Sequence, residues 1–110
     1  MSSPAAVKAL PLSAAYCASK SGINGLVRAA ALDCAERQIR VNALLPGATR
    51  TPLAQRAAAH TPQLSTHGTW PLRRWAEAHE IAAAAVWMIS DDAGFMTGAC
   101  MTVDGGMTAA

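Results

Sequence analysis

Two short apolar stretches constrain the fold of this chain more than any other feature. "IRVNALLPG", Ile39 to Gly47, is a partly β-branched run that closes on Pro46-Gly47, and "ACMTV", Ala99 to Val103, closes on Asp104-Gly105-Gly106. Each has the length and the boundaries of a buried strand. Far more than the dozen residues that a crossover needs lie between them, and a helical pattern fills part of the interval. This points to a parallel pair joined by a right-handed crossover, hence to an α/β fold.

The helices follow from periodicity. Ser13 stands at an N-cap position, and Ile23, Leu26, Val27, Ala30, Ala31 and Cys34 recur at helical spacing after it, while Arg28, Asp33, Glu36 and Arg37 lie mainly off that stripe. A helix over 14–37 is expected. Gly22 and Gly25 fall inside it at about 1 kcal/mol each relative to alanine, a cost usually tolerated where another backbone comes close. A second helix is expected over 76–90, with Ile81, Ala84, Ala85, Met88 and Ile89 as its apolar face. The strands are expected over 39–45 and 99–103. Residues 48–75 read as an irregular loop, with a short helix near Leu53 to Ala59.

Composition excludes several classes. A hydrophobic fraction of 52% in 110 residues suits one packed domain rather than a disordered chain. The formal charge of +2 comes with scattered arginines and no aromatic interleaving, so no nucleic-acid partner is expected. No apolar run is long enough for a membrane span, and the N-terminal stretch is broken by Pro4 and Pro11. Cys17, Cys34 and Cys100 form no CxxC, which fits a reducing compartment and a cytoplasmic location.

No metal site is expected. His79-Glu80 begins like a zinc-protease helix, but Ala83 stands where the second histidine is needed, and His60 and His67 have no third ligand. Cys17 also occupies the place of the serine in a Ser-x-x-Lys motif. Neither G-x-G-x-x-G nor G-x-x-x-x-G-K-[ST] occurs, so the sequence shows no phosphate cradle. Tyr16, the only tyrosine, and Lys20 are left. At i and i+4 on a helix they stack one above the other, and a cation beside a phenol favours its ionised form, as proton exchange with a hydroxyl requires. The same spacing is also compatible with a packed tyrosine beside a solvated lysine.

Context separates the two. Ser2-Ser3, "YCASKSGINGL" from Tyr16, "IRVNALLPGATRT" from Ile39, "PLRRWAEAHEIA" from Pro71 and "FMTGACMTVDGG" from Phe95, in this order and at these spacings, closely resemble the short-chain dehydrogenase/reductase family over essentially the whole chain. The resemblance implies the C-terminal portion of a Rossmann-like, doubly wound parallel sheet. It implies an NAD(P)-dependent oxidoreductase that interconverts an alcohol and a carbonyl. Tyr16 matches the general acid/base, Lys20 the lysine that binds the nicotinamide ribose, and Ser3, thirteen residues before Tyr16, the serine that polarises the substrate oxygen. Pro46, Gly47, Thr49 and Thr51 match positions that border the cofactor, beside Tyr16 and Lys20 themselves.

Pro52 to Trp70 matches the substrate loop, whose small and apolar residues Leu53, Ala57, Ala58 and Leu64 favour a substrate without a required anionic group, against which Arg50 and Arg56 weigh. The implied partners are a small-molecule alcohol or ketone and, in the full-length form, further copies in a homo-oligomer. Members with this pattern include 3-oxoacyl reductases and diol or cyclic-alcohol dehydrogenases.

The chain departs from the family by lacking the dinucleotide-binding half, including the residues that choose NAD or NADP. An open, apolar edge on "IRVNALL" is expected in consequence. The expectation is a truncated fragment, inactive on its own. The alternative is a catalytically silent remnant that serves as an oligomerisation partner of full-length paralogues.

Overall fold

The computed structural model describes residues 1–60 and 70–109. After a single 3-10 turn at Pro4–Ala6, the chain forms α1 (Ala14–Cys34), β1 (Ala43–Pro46), α2 (Pro52–His60), α3 (Ala78–Ile89) and β2 (Cys100–Val103). The expected parallel pair is present. Ala43, Leu44, Leu45 and Pro46 face Cys100, Met101, Thr102 and Val103 in register. Backbone bonds extend the pairing at both ends, from Ala43 N–H to the Ala99 carbonyl at 2.8 Å and from Gly47 N–H to that of Val103 at 2.9 Å.

Period-2 alternation divides the sheet's two faces. Leu44, Met101 and Val103 pack against α3 around Ile81 and Met88, while Leu45 turns the other way and is fully buried. α1 touches β1. Ala31 lies over the start of β2, where a Cβ on Gly98 would come within 3.5 Å of its own.

The strand at 39–45 is shorter than expected and one residue later at its end, because Arg40 and Asn42 do other work. Arg40 donates to the carbonyls of Met88, Ser90 and Met96, and so caps the C-terminal end of α3. Asn42 donates to the Met96 carbonyl and accepts from Ala99 N–H, which sets the entry into β2. The helix expected over 14–37 is α-helical to Cys34 and ends in a 3-10 turn, with Gln38 in the left-handed region. The helix expected over 76–90 starts at Ala78 behind a capping box, in which the side chains of Glu77 and Glu80 each accept from the other's backbone end.

Ser13 occupies the N-cap position of α1, as expected, but its hydroxyl donates back to the Pro11 carbonyl instead of accepting from a helix N–H. Two expectations about packing fail. A Cβ on Gly22 or Gly25 would meet nothing within 4 Å, so among the described residues no backbone packs against them. Leu26, 68% exposed, and Ile89 are turned outward, the first at the edge of its stripe and the second at the helix end. Among the described residues the edge of β1 opposite β2 is open, as expected, except where Ser2 N–H donates to the Leu44 carbonyl at 2.8 Å. Among the described residues no helix is long and apolar enough to cross a membrane.

Candidate active site

Ser3 is fixed by its neighbours. Ser2 N–H bonds the Leu44 carbonyl of β1, and Ser2 Oγ donates to the Lys20 carbonyl of α1 at 3.0 Å. Buried Ser2 thus ties the start of the chain to both elements that border the site. It is a positional role that the sequence reading missed, since Ser2 looked only like a neighbour of Ser3. Ser3 itself, extended and buried, caps the following 3-10 turn by accepting from Ala5 N–H at 3.2 Å. One of its two lone pairs is used there, and its proton can still be donated.

Tyr16 and Lys20 lie on the first turns of α1. Lys20 Nζ stands over the Tyr16 ring, 5.6 Å from the centroid, while the tyrosine is 47% exposed. The stacking expected of an i, i+4 pair is realised through the ring face. Asn24, one turn on and 3% exposed, presents a buried Oδ1 without a hydrogen-bond partner, an uncommon state for a buried amide.

Pro46 ends β1 at its carboxyl end, where α/β sheets place their ligands. Gly47 has a structural reason of its own: a Cβ there would lie 2.6 Å from the Asp104 Cα. Thr49 folds back, its hydroxyl donating to the Gly47 carbonyl at 3.0 Å. Thr51 caps α2 by accepting from Ala54 N–H at 3.2 Å, with Pro52 at the first helical position. Its proton too is left to donate to an acceptor such as a phosphate oxygen. The Thr-Pro pair was the readable signal for this helix. Ser3, Lys20 and β1 are therefore joined by bonds through Ser2. The chain from Ala48 to Arg50 turns instead towards Ala76, which bonds both Ala48 and Arg50.

Charges near these loops are mostly engaged. Arg50 pairs with Glu77 at 2.8 Å, and Arg74 grips Glu80 with two bonds of 2.7 Å. The hydrogen bond from Arg74, aided by that from Glu77 N–H and by the arginine's charge, holds the Glu80 carboxyl at about 2. Burial pushes Asp104 upward, but the bonds from the Thr108 hydroxyl and from the Gly106 and Thr108 backbones outweigh it and keep its pKa low. Among the described residues no group of three His, Cys, Asp or Glu side chains gathers to hold a metal. Leu64 and His67 lie outside the described residues.

The residues present fit the nicotinamide end of a dinucleotide. A phenol and an ammonium share an exposed face, and two hydroxyls, on Ser3 and Thr51, keep a proton to donate. Nothing in the sequence provides a glycine-rich pyrophosphate turn.

A parallel βαβ unit with Tyr-x-x-x-Lys on the preceding helix is the architecture of part of a Rossmann-like domain. Residues 1–108 match the family model described as enoyl-(acyl carrier protein) reductase. The chain is 46% identical over 109 residues to the 2,5-dichloro-2,5-cyclohexadiene-1,4-diol dehydrogenase of Sphingobium indicum, with 97% of this chain and 44% of that protein covered. It superposes on a short chain dehydrogenase family protein from Francisella tularensis with a TM-score of 0.88 at 35% identity, covering 99% of this chain and 49% of the other. On 4-hydroxyisoleucine dehydrogenase complexed with NADH the TM-score is 0.90 at 34% identity, with 99% and 45% covered. The chain belongs to the short-chain dehydrogenase/reductase family, and it spans less than half the length of these relatives.

Proposed function

We propose that this chain carries the proton-transfer part of an NAD(P)-dependent oxidoreductase that interconverts an alcohol and a carbonyl. The observation that carries the reading is Lys20 Nζ held 5.6 Å from the centre of the exposed Tyr16 ring, on the helix that Ser2 ties to β1 and thereby to Ser3. Tyr16 takes the proton from an alcohol or returns one to a carbonyl. Ser3 donates a hydrogen bond to the same substrate oxygen, since the bond from Ala5 N–H occupies one lone pair and not its proton. Lys20 holds the nicotinamide ribose, and Pro46, Gly47, Thr49 and Thr51 border the cofactor. A nicotinamide ring, when bound, accepts or supplies the hydride.

The substrate is a small, uncharged alcohol or ketone. Arg50 and Arg56, the cations that weighed against an uncharged substrate, are engaged with Glu77 and with the Pro52 carbonyl. The 110 residues by themselves bind dinucleotide weakly and do not turn over, because they lack a phosphate cradle. The test titrates NADH and NADPH into the chain and follows nicotinamide absorbance with a panel of alcohols. It then repeats both in the presence of a family polypeptide that carries a glycine-rich cradle. Turnover is expected only in the second case, and Tyr16→Phe lowers it by about 10²–10⁴-fold. Turnover indifferent to Tyr16→Phe sinks the proton-transfer reading.

A second reading, an oligomerisation module for full-length relatives, is favoured by the outer face of α1, where Leu32 is 78% exposed and Gly22 and Gly25 border open space. Co-purification with a full-length dehydrogenase supports it. A chain that stays monomeric beside such a partner argues against it.

A further inference from the structure

We infer that Ser2 is a positioning residue for proton transfer: its hydroxyl, bonded to the Lys20 carbonyl, sets where the Tyr16–Lys20 pair stands relative to Ser3. The inference rests on the oxidoreductase reading. The two adjacent serines use their hydroxyls in opposite ways. Ser2, buried, gives its proton to the Lys20 carbonyl at 3.0 Å, while its N–H donates to the Leu44 carbonyl of β1 at 2.8 Å. Ser3 accepts from Ala5 N–H and keeps its proton. Lys20 lies inside α1, where its carbonyl already serves the N–H four residues on. The helix needs no second donor there, so the Ser2 bond is a tie between elements. From Lys20 to Ser3 it runs through one hydrogen bond and one peptide link.

Packing fixes this half of α1 only loosely. Of its two buried residues, Ala31 lies about 16 Å beyond Lys20 along the axis, and Asn24 presents an oxygen to which nothing donates. The turn at Pro4–Ala6 lies against the helix, but one proline and two alanines offer no long side chain to interlock with it. A second tie, from the Ser21 hydroxyl to the Ala6 carbonyl, is exposed and 3.3 Å long, where water competes for both groups. Proton transfer needs the phenol and the Ser3 hydroxyl within reach of one oxygen, and a displacement of about 1 Å costs on the order of 10²-fold. Tyr16 and Lys20 stack within one helix and do not need Ser2 for that. Without the Ser2 hydroxyl the pair therefore stays together and shifts as a unit against Ser3.

The test uses the 110-residue chain together with the family polypeptide that carries a glycine-rich cradle. Ser2→Ala is expected to lower kcat about 10–100-fold, with KM changed less than about threefold. In a Ser3→Ala background, where the contact that Ser2 positions is already gone, adding Ser2→Ala is expected to lower kcat less than about twofold further. A Ser2 that merely supports the fold lowers kcat alike in both backgrounds, and that result overturns the inference, as does an unchanged kcat in Ser2→Ala. Should Ser2→Ala unfold the chain, Ser2→Cys decides, since it nearly keeps the size and weakens the donor. A readout without turnover comes from residual dipolar couplings of the 110-residue chain. In the unsubstituted chain α1 and the β1–β2 pair are expected to fit one alignment; in Ser2→Cys the α1 couplings should fall below about half while those of Ala43 and Met101 hold. Couplings of α1 that Ser2→Cys leaves unchanged overturn the inference. Turnover indifferent to Tyr16→Phe, with α1 released by Ser2→Cys, removes the oxidoreductase reading. Turnover that responds to Tyr16→Phe and not to Ser2 removes only the inference.

Discussion

The α3 side of the sheet and the α1 side are stabilised very differently. On the first, Leu44, Ile81 and Met88 form a buried cluster, a capping box starts the helix, Arg40 closes its end and Arg74 grips its first turn. On the second, only Asn24 and Ala31 of α1 are buried, and one of those two is an amide with an unpartnered oxygen. Of the two helices that flank the sheet, the one that carries Tyr16 and Lys20 therefore draws less of its packing from the described residues. The groups proposed to react stand on the less packed side, and the well-packed side serves as their foundation.

The largest effects should come from the buried sheet. Leu45→Ala is expected to cost about 2–5 kcal/mol, because the side chain is fully enclosed, whereas Leu26→Ala on the outer face of α1 should stay within about 0.5 kcal/mol. Urea unfolding followed by far-UV circular dichroism measures both. Equal losses would erase the contrast between the two sides.

Next come the two asparagines. Asn42→Leu strands the Met96 carbonyl and the Ala99 amide and should cost about 1–3 kcal/mol. Asn24→Leu removes an acceptor that has no donor and should be neutral or stabilising by up to about 1 kcal/mol. A clear loss at Asn24 in the same unfolding assay would mean that its oxygen is satisfied after all.

The smallest effect is electrostatic. Glu80 has a folded-state pKa of about 2 against an ordinary 4.5, so its contribution is fully present above pH 4.5 and is lost as the pH falls from there through 2. The urea midpoint should drop over that window, and Glu80→Gln should flatten part of the drop. The effect stays small because the Arg74 pair is largely in solvent. A window unchanged by Glu80→Gln would place the acid sensitivity elsewhere, with Asp104 the next group to replace.

What the sequence disclosed and what it hid divide along physical lines. Strand pairing was legible because burial on both faces leaves a continuous apolar run, and Tyr16 and Lys20 were legible because helical spacing is local. Arg40 and Asn42 were read as strand residues, since nothing local shows that their side chains meet carbonyls some fifty positions on. Gly22 and Gly25 led to the expectation of a backbone packed close to them, and among the described residues none lies there. The bond between Lys8 and Met107 joins the two ends of the sequence, and only the folded chain brings them together.

The register of the sheet has a consequence in time. Ala43 meets Cys100 across 57 positions, more than half of the 110-residue chain, whereas α1 needs only neighbours to form. Loop closure over that span comes late and is slow, while a helix grows in microseconds or less. During refolding, Leu44 and Leu45 wait uncovered until β2 arrives. That interval offers an apolar strand to any second chain in the same state, so aggregation on refolding is expected to rise with protein concentration.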